Sequence, residues 1–310
     1  MSTTIGIMGG GRWGLALAVA AKAAGNKALI CSRRDAGLSG NESIQVTADA
    51  KLLGQRCMLI LFAVPSGAAR AAAASLGEAV DGRHLVVHAV RGLSDEGLLP
   101  VSEILRQETP VRRVGAMAGP VLAEDLLRSE PASVVAASRY PEVLDAVQRG
   151  LGSSTLRVSE TDDLVGLEWA SALVGALLVG LGFARGVGLS PGLLAGLMTR
   201  AMHEAARIGV AAGGHESTFF GIAGFGDLMA AMGQEQRPEV RFGRSLAAGT
   251  PPATALAQVE SRIEAVELVP RVIAFAREHG VSAPVFTALA SVLEGRADPG
   301  KVLAELMTRR

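Results

Sequence analysis

Residues 9–14, Gly-Gly-Gly-Arg-Trp-Gly, follow a short apolar run, Ile5-Gly6-Ile7-Met8, and open an Ala-rich helix. A strand, a glycine turn and a helix N-terminus in that order form the first half of a βαβ unit, and the helix dipole then faces an anion. In such a unit Gly9 makes the tight turn, Gly11 lets the backbone approach phosphates, and Gly14 lets helix lie close on strand. A chain with 38 glycines produces G-x-G-x-x-G spacings by chance, so placement carries the argument. A second apolar strand, Ala28-Leu29-Ile30-Cys31, arrives at the spacing of one βαβ unit. The loop, with Arg12 and Trp13 in it, is therefore expected to cradle the pyrophosphate of a dinucleotide.

The second strand ends in Ser32-Arg33-Arg34. An acidic side chain there would accept hydrogen bonds from a ribose 2′-hydroxyl, whereas a small hydroxyl and arginines suit a 2′-phosphate. The expected cofactor is NADP(H) ahead of NAD(H), read by Ser32, Arg33 and Arg34. The alternative is a solvated pair of loop arginines.

The first half alternates strands with Ala-rich helices. Strands are expected over 58–64, ending in Pro65-Ser66, over 84–90, closed by Arg91-Gly92, and over 114–117, 132–137 and 155–158, with a helix over 67–80. Such alternation predicts a doubly wound parallel sheet of the Rossmann type, with ligands at the carboxyl ends of its strands. From about Ser159 helices take over, at 162–185, 191–213, 226–232, 251–258, 261–279, 283–294 and 301–308. The predicted architecture is an α/β Rossmann-type dinucleotide-binding domain over 1–159 and an all-α domain over 160–310, with a substrate cleft between them.

Lys and Arg balance Asp and Glu at 30 each, which leaves no electrostatic footprint for nucleic acid or an anionic membrane. A small-molecule substrate and other copies of the chain are the partners expected. Residues 164–184 are apolar over a membrane-spanning length apart from Glu168, but glycines dilute the run, and a buried core helix is expected instead. Cys31 and Cys57 fall in apolar runs, as reduced thiols of a cytoplasmic protein would, and the first strand starts too early to leave room for a signal peptide. His84 and His88 alternate on one strand, the other histidines are scattered, and no metal spacing links them.

Across nearly the whole chain the motifs resemble the bacterial NAD(P)-dependent glycerol-3-phosphate dehydrogenases. Residues 9–18 (GGGRWGLALA) are similar to that family's G-x-G-x-x-G-x-A-L-A, Ala63-Val64-Pro65-Ser66 to its V-P-S turn, and Val90-Arg91-Gly92-Leu93 to its K-G-L. Residues 118–124 (AGPVLAE) resemble S-G-P-[ST]-x-A-x-E, 221–228 (GIAGFGDL) resemble G-x-A-G-x-G-D-L, and Arg241-Phe242-Gly243 the R-F-G that closes the phosphate loop. Ile263-Glu264-Ala265-Val266 is similar to V-E-G-V, which implies that Glu264 approaches the cofactor; a solvated helix carboxylate is the alternative.

The resemblance implies reduction of dihydroxyacetone phosphate by hydride, with negative charge developing on the carbonyl oxygen. In the family a lysine in a G-A-x-K-N run answers that charge. Aligned on Glu168, this chain has Val174 at the lysine and Gly175 at the asparagine. Its lysines are Lys22, Lys27, Lys51 and Lys301, so no shift of alignment brings one there. Pro238-Glu239-Val240 replace the R-N-R/K before R-F-G, Ala231 replaces a threonine, and Arg237 is left to restore one phosphate contact against the repulsion of Glu239.

The catalytic candidates are then Arg91, which would polarise a carbonyl or hold an anionic group, and Asp227, for which a helix N-cap is the structural alternative. Glu124 would support the substrate or the cofactor loop, or sit against a helix dipole. The expected activity is an NAD(P)H-dependent oxidoreductase of the glycerol-3-phosphate dehydrogenase type. A reductase of a different small keto compound and a non-catalytic NADPH-binding protein stay open, because Val174 replaces the lysine. The resemblance also implies a homodimer through the helical half.

Overall fold

The computed structural model describes residues 3–33, 42–91, 93–94, 97–259 and 262–296. Arg34, Gly92 and the helix expected over 301–308 lie outside them. The chain divides into two compact units, Met1–Glu168 and Trp169–Arg310.

The first unit runs β1 (Thr4–Met8), α1 (Arg12–Ala23), β2 (Lys27–Cys31), β3 (Ile44–Thr47), α2 (Ala50–Arg56), β4 (Leu59–Phe62), α3 (Ala69–Gly77), β5 (Leu85–His88) and α4 (Val101–Glu108). It continues through β6 (Arg113–Ala118), α5 (Ala123–Leu127), β7 (Ala132–Ala137), α6 (Pro141–Leu151) and β8 (Leu156–Thr161). The strands form one eight-stranded sheet in the order β3-β2-β1-β4-β5-β6-β7-β8. The order reverses direction between β1 and β4, which places a topological switch point beside the glycine loop.

Pairing is parallel from β3 to β6, and β7 and β8 are parallel to each other. One junction departs from the parallel sheet expected: β6 and β7 are antiparallel, with Met117 opposite Ala136. Gly119 (φ 143°) turns the chain at the end of β6, and the segment carrying the five-residue α5 returns it without a crossover helix.

Strands β1, β2, β4 and β5 are apolar on both faces, as a sheet covered on both sides requires. Side chains of α1, α5 and α6 join Ile5, Ile7 and Leu61 in one core, and α2, α3 and α4 join Ile60, Phe62 and Val86 in the other. Each fully buried Leu, Ile or Phe contributes about 1.5–3 kcal/mol, so the strand ends that carry the site residues are fixed by two cores rather than by their loops.

The second unit takes most of α7 (Leu164–Gly186), then α8 (Pro191–Ala211), α9 (Glu216–Phe219), a π turn over Ile222–Gly226, α10 (Asp227–Ala231), α11 (Pro238–Ala247), α12 (Pro252–Val259), α13 (Ala265–Glu278) and α14 (Pro284–Leu293). Helix α7 has the length and mean hydropathy (1.9) of a membrane span, yet its most apolar window is 89% buried inside the protein. Its glycines let another helix approach. A Cβ on Gly182 would fall 2.1 Å from the Val240 carbonyl oxygen, and one on Gly243 2.0 Å from that of Val179, so α7 and α11 touch backbone to backbone. Glu204 of α8 is buried and accepts the backbone N–H groups of Val285 (3.0 Å) and Phe286 (2.8 Å), capping α14 from a neighbouring helix.

Strand β3 and the start of α11 are among the elements the sequence did not mark. Strand β3 has four residues, two of them exposed and one a glutamine, with no alternation to mark it. Residues 238–240, read as part of a phosphate loop, are the first turn of α11, because Pro238 pre-sets a helical φ after the extended Arg237 (ψ 135°).

Candidate functional site

In the first unit the candidate residues stand at or just beyond the carboxyl ends of the central strands. Gly9 has φ 123°, and a Cβ there would fall 2.3 Å from the Ala63 carbonyl oxygen. A Cβ on Gly14 would come within 1.9 Å of the Gly9 carbonyl oxygen, so α1 is seated on the turn itself. Gly11 is different: a Cβ added there meets nothing within 4 Å. It is the N-cap of α1 and offers no side-chain cap, so the first N–H groups of the helix open onto that space. An uncapped helix start above a glycine with open space is what a pyrophosphate needs, and the residues present fit a dinucleotide.

Arg12 forms an ion pair with Glu124 of α5. Burial works to raise the Glu124 carboxyl, and its own backbone N–H together with Arg12 holds it below the ordinary carboxylate value. Trp13 donates its indole N–H to the Ala89 carbonyl at 3.0 Å, tying α1 to the end of β5. Ser32 continues β2, its N–H donating to the Thr47 carbonyl at 2.8 Å, and its side chain lies where a Cβ on Gly10 would be. Arg33 is exposed, and Arg34 lies outside the described residues. Pro65 starts a 3₁₀ turn over Ser66–Ala68, in which the Ser66 hydroxyl is buried without a hydrogen-bond partner. Arg91 is half-buried after β5.

His88 and Glu168 form a buried pair that sequence reasoning did not join. In the sequence His88 has no metal spacing and Glu168 marks only an alignment, and only the fold brings positions 88, 102 and 168 together. Glu168 accepts the Ser102 backbone N–H (2.9 Å) and hydroxyl (2.8 Å) as well as the His88 ring. Nδ1 of His84 approaches Asp81, and its Nε2 the Gly54 carbonyl at 2.9 Å. No group of three or more potential metal ligands occurs among the described residues.

In the second unit Asp227 is 1% exposed and opens α10 without capping it. Its Oδ1 instead accepts a hydrogen bond from Arg237 Nη1 at 2.9 Å, and Arg237 is 5% exposed. Gln234 Oε1 accepts from Arg237 Nε. The N-cap alternative for Asp227 is therefore replaced by a buried ion pair. Val174 is 0% exposed and Ala231 and Val240 are fully buried, while Glu239 is half-buried in the first turn of α11. Glu264 is half-buried at the N-cap of α13 without a side-chain cap.

Cys31 and Cys57 are buried free thiols. Burial, together with Asp49, raises the Cys31 thiol, and burial pushes Cys57 up to about 12 against the smaller pull of Arg56.

The N-terminal model of NAD-dependent glycerol-3-phosphate dehydrogenase matches residues 36–144, and the C-terminal model of the same family matches 163–304. Glycerol-3-phosphate dehydrogenase (NAD(P)+) of Moorella thermoacetica is 31% identical over 325 aligned positions, covering 100% of this chain and 97% of that protein. The same enzyme of Desulfitobacterium hafniense is 30% identical, covering 98% and 91%. Among solved structures, glycerol-3-phosphate dehydrogenase of Coxiella burnetii superposes with a TM-score of 0.89 at 25% identity, covering 99% of both chains. The chain belongs to the NAD-dependent glycerol-3-phosphate dehydrogenase family.

Proposed function

We propose that this chain is an NAD(P)H-dependent oxidoreductase that moves hydride between a nicotinamide cofactor and a small hydroxy or keto compound. Glycerol 3-phosphate and dihydroxyacetone phosphate, the pair belonging to the activity its relatives are named for, are the first substrates to test. The observation that carries the reading is the open space above Gly11 at an uncapped helix start, in a chain of this family. Gly9, Gly11, Arg12, Trp13, Gly14 and Pro65 would hold the dinucleotide, with Glu264 contributing from the helical unit. Ser32, Arg33 and Arg34 would favour NADP(H) over NAD(H).

The cofactor, when bound, supplies the hydride. Negative charge then develops on the substrate's carbonyl oxygen, and a positioned cation or donor stabilises it. Arg91 is assigned that role, or the holding of an anionic group, as a planar donor that keeps its proton. Asp227 is assigned to substrate positioning as a carboxylate neutralised by Arg237. Residues 1–159 would form the dinucleotide-binding domain and 160–310 the substrate and homodimer domain of a cytoplasmic enzyme, with neither nucleic acid nor membrane as partner.

The experiment is to mix the protein with NADPH and dihydroxyacetone phosphate and follow absorbance of the reduced cofactor. Turnover supports the reading, and tighter binding of NADPH than of NADH supports the 2′-phosphate assignment. NADPH binding without turnover would favour a different keto substrate or a non-catalytic role. Val174 gives that second reading its footing, because a fully buried apolar side chain stands where the family places an ammonium.

A further inference from the structure

We propose that His88 is a positioning residue: held by Glu168, it fixes the chain as it leaves β5 and, through the Ala89 carbonyl, sets Trp13 of the glycine loop for the dinucleotide. This role rests on the cofactor reading above and brings into it residues that lie outside the glycine loop.

His88 is the last residue of β5, and the sheet ladder ends with it, opposite Phe62 on β4 and Ala116 on β6. The next N–H, that of Ala89, still donates to the Phe62 carbonyl at 2.8 Å. The Ala89 carbonyl is put to another use. It accepts the indole N–H of Trp13, the second residue of α1, at 3.0 Å. Whatever holds His88 therefore aims the carbonyl that holds Trp13.

The hold is a buried polar one where apolar packing would serve stability as well. Glu168 accepts the N–H (2.9 Å) and hydroxyl (2.8 Å) of Ser102, and so caps α4, whose N-cap Pro100 offers no side-chain cap. The bond to His88 is extra to that capping. A carboxylate only accepts, so the ring donates from Nε2, and its Nδ1 is left buried without a hydrogen-bond partner. A leucine in that place would leave no ring nitrogen unsatisfied, and buried ionic groups are often no more stabilising than apolar side chains of similar volume. A hydrogen bond, however, has a preferred length and angle that apolar packing lacks, and it fixes the strand end in one place.

The test follows the Trp13 indole N–H in proton–nitrogen correlation spectra of the full-length protein, its signal assigned by its loss in Trp13→Phe, alongside NADPH affinity by calorimetric titration. His88→Leu should move that signal and speed its exchange with water. It should also weaken NADPH roughly three- to tenfold, the range for one misplaced hydrogen bond. His88→Gln, whose amide nitrogen reaches the place of Nε2 and donates to Glu168, should restore both. Should His88→Leu fail to fold, His88→Asn, too short to reach Glu168, carries the same expectations. A folded variant without the Glu168 bond that keeps either the Trp13 signal or the NADPH affinity of the parent would overturn the role and leave the cluster to stability alone. A parent that binds no NADPH removes the cofactor reading, and the Trp13 signal then decides the positioning by itself.

Discussion

His88 Nε2 stands 2.8 Å from Glu168 Oε1, and the two side chains are 2% and 1% exposed. The carboxylate accepts from three donors, counting the N–H and hydroxyl of Ser102, and so joins the end of β5 to α4 and to the start of α7. Replacing Glu168 by Ala would strand all three donors away from water. Each stranded buried donor costs about 1–3 kcal/mol, so the expected loss is several kcal/mol. Urea unfolding measures it, and a loss below about 1 kcal/mol would mean that water replaces the carboxylate.

What could be read before folding was local. The glycine loop was legible because turn, strand and helix are adjacent in sequence, and its glycines differ in what a Cβ would meet. The apolar runs of β1, β2, β4 and β5 were legible because a sheet covered on both faces needs no alternation. The Asp227–Arg237 pair was not, since ten residues separate the partners and the segment between them was read as a loop. Likewise, no spacing rule relates positions 88, 102 and 168. The antiparallel turn of β7 left no mark, because Ala132–Ala137 is as apolar as a parallel strand.

The two ends of the glycine loop predict opposite outcomes for the same substitution. Gly14→Ala places a methyl 1.9 Å from a backbone oxygen, so α1 must lift from the turn, and both stability and cofactor binding should fall. Gly11→Ala meets nothing in the protein, and its thermal midpoint should stay within a few degrees of the parent. Its methyl would instead occupy the space assigned to the pyrophosphate, and NADPH affinity should drop at least tenfold by fluorescence titration. Unchanged NADPH affinity in Gly11→Ala would remove the loop from the cofactor site.

Burial governs the thiols. Cys57, pushed up to about 12, stays a protonated thiol across the working range, and the Cys31 thiol is raised by burial and by Asp49. Because the thiolate is the reactive form, the native protein should react with a disulfide reagent at pH 8 only at the rate at which it opens. Two equivalents should appear at once in denaturant, since both cysteines are free. Fast labelling of the native protein would contradict the packing of β2 and of the turn before β4.

Glu204 makes a pH prediction with a definite sign. Burial raises its carboxyl above the ordinary value, while the Val285 and Phe286 N–H groups pull it down by less. An acid with a raised folded value favours the folded state fully below its ordinary pKa, and that contribution is lost as pH rises through the folded value. Glu204→Gln cannot ionise and should flatten the stability curve between the ordinary and the raised value. It should also unfold more easily overall, by about 1–3 kcal/mol, because one amide face meets a backbone N–H with a donor. Melting curves taken between pH 4 and 8 separate the two effects.

Val174 tests whether the helical unit retains a place for an ammonium. The position is 0% exposed on a helix buried along most of its length, so a lysine there loses its hydration unless an anion meets it. Val174→Met, similar in character, should change stability by less than about 1.5 kcal/mol. Val174→Lys should cost about 3–5 kcal/mol at neutral pH. The sign of its pH dependence follows from desolvation, which lowers the lysine's folded pKa below about 10.4. The deficit should therefore be smallest in alkali, where both states are neutral, should grow as pH falls from about 10.4 to the lowered folded value, and should level off below it. A Val174→Lys protein with no extra pH dependence relative to Val174→Met would show that a carboxylate of the helical unit receives the ammonium. In that case the apolar side chain would be a substitution on an intact ionic frame, and dihydroxyacetone phosphate reduction should rise in the same variant.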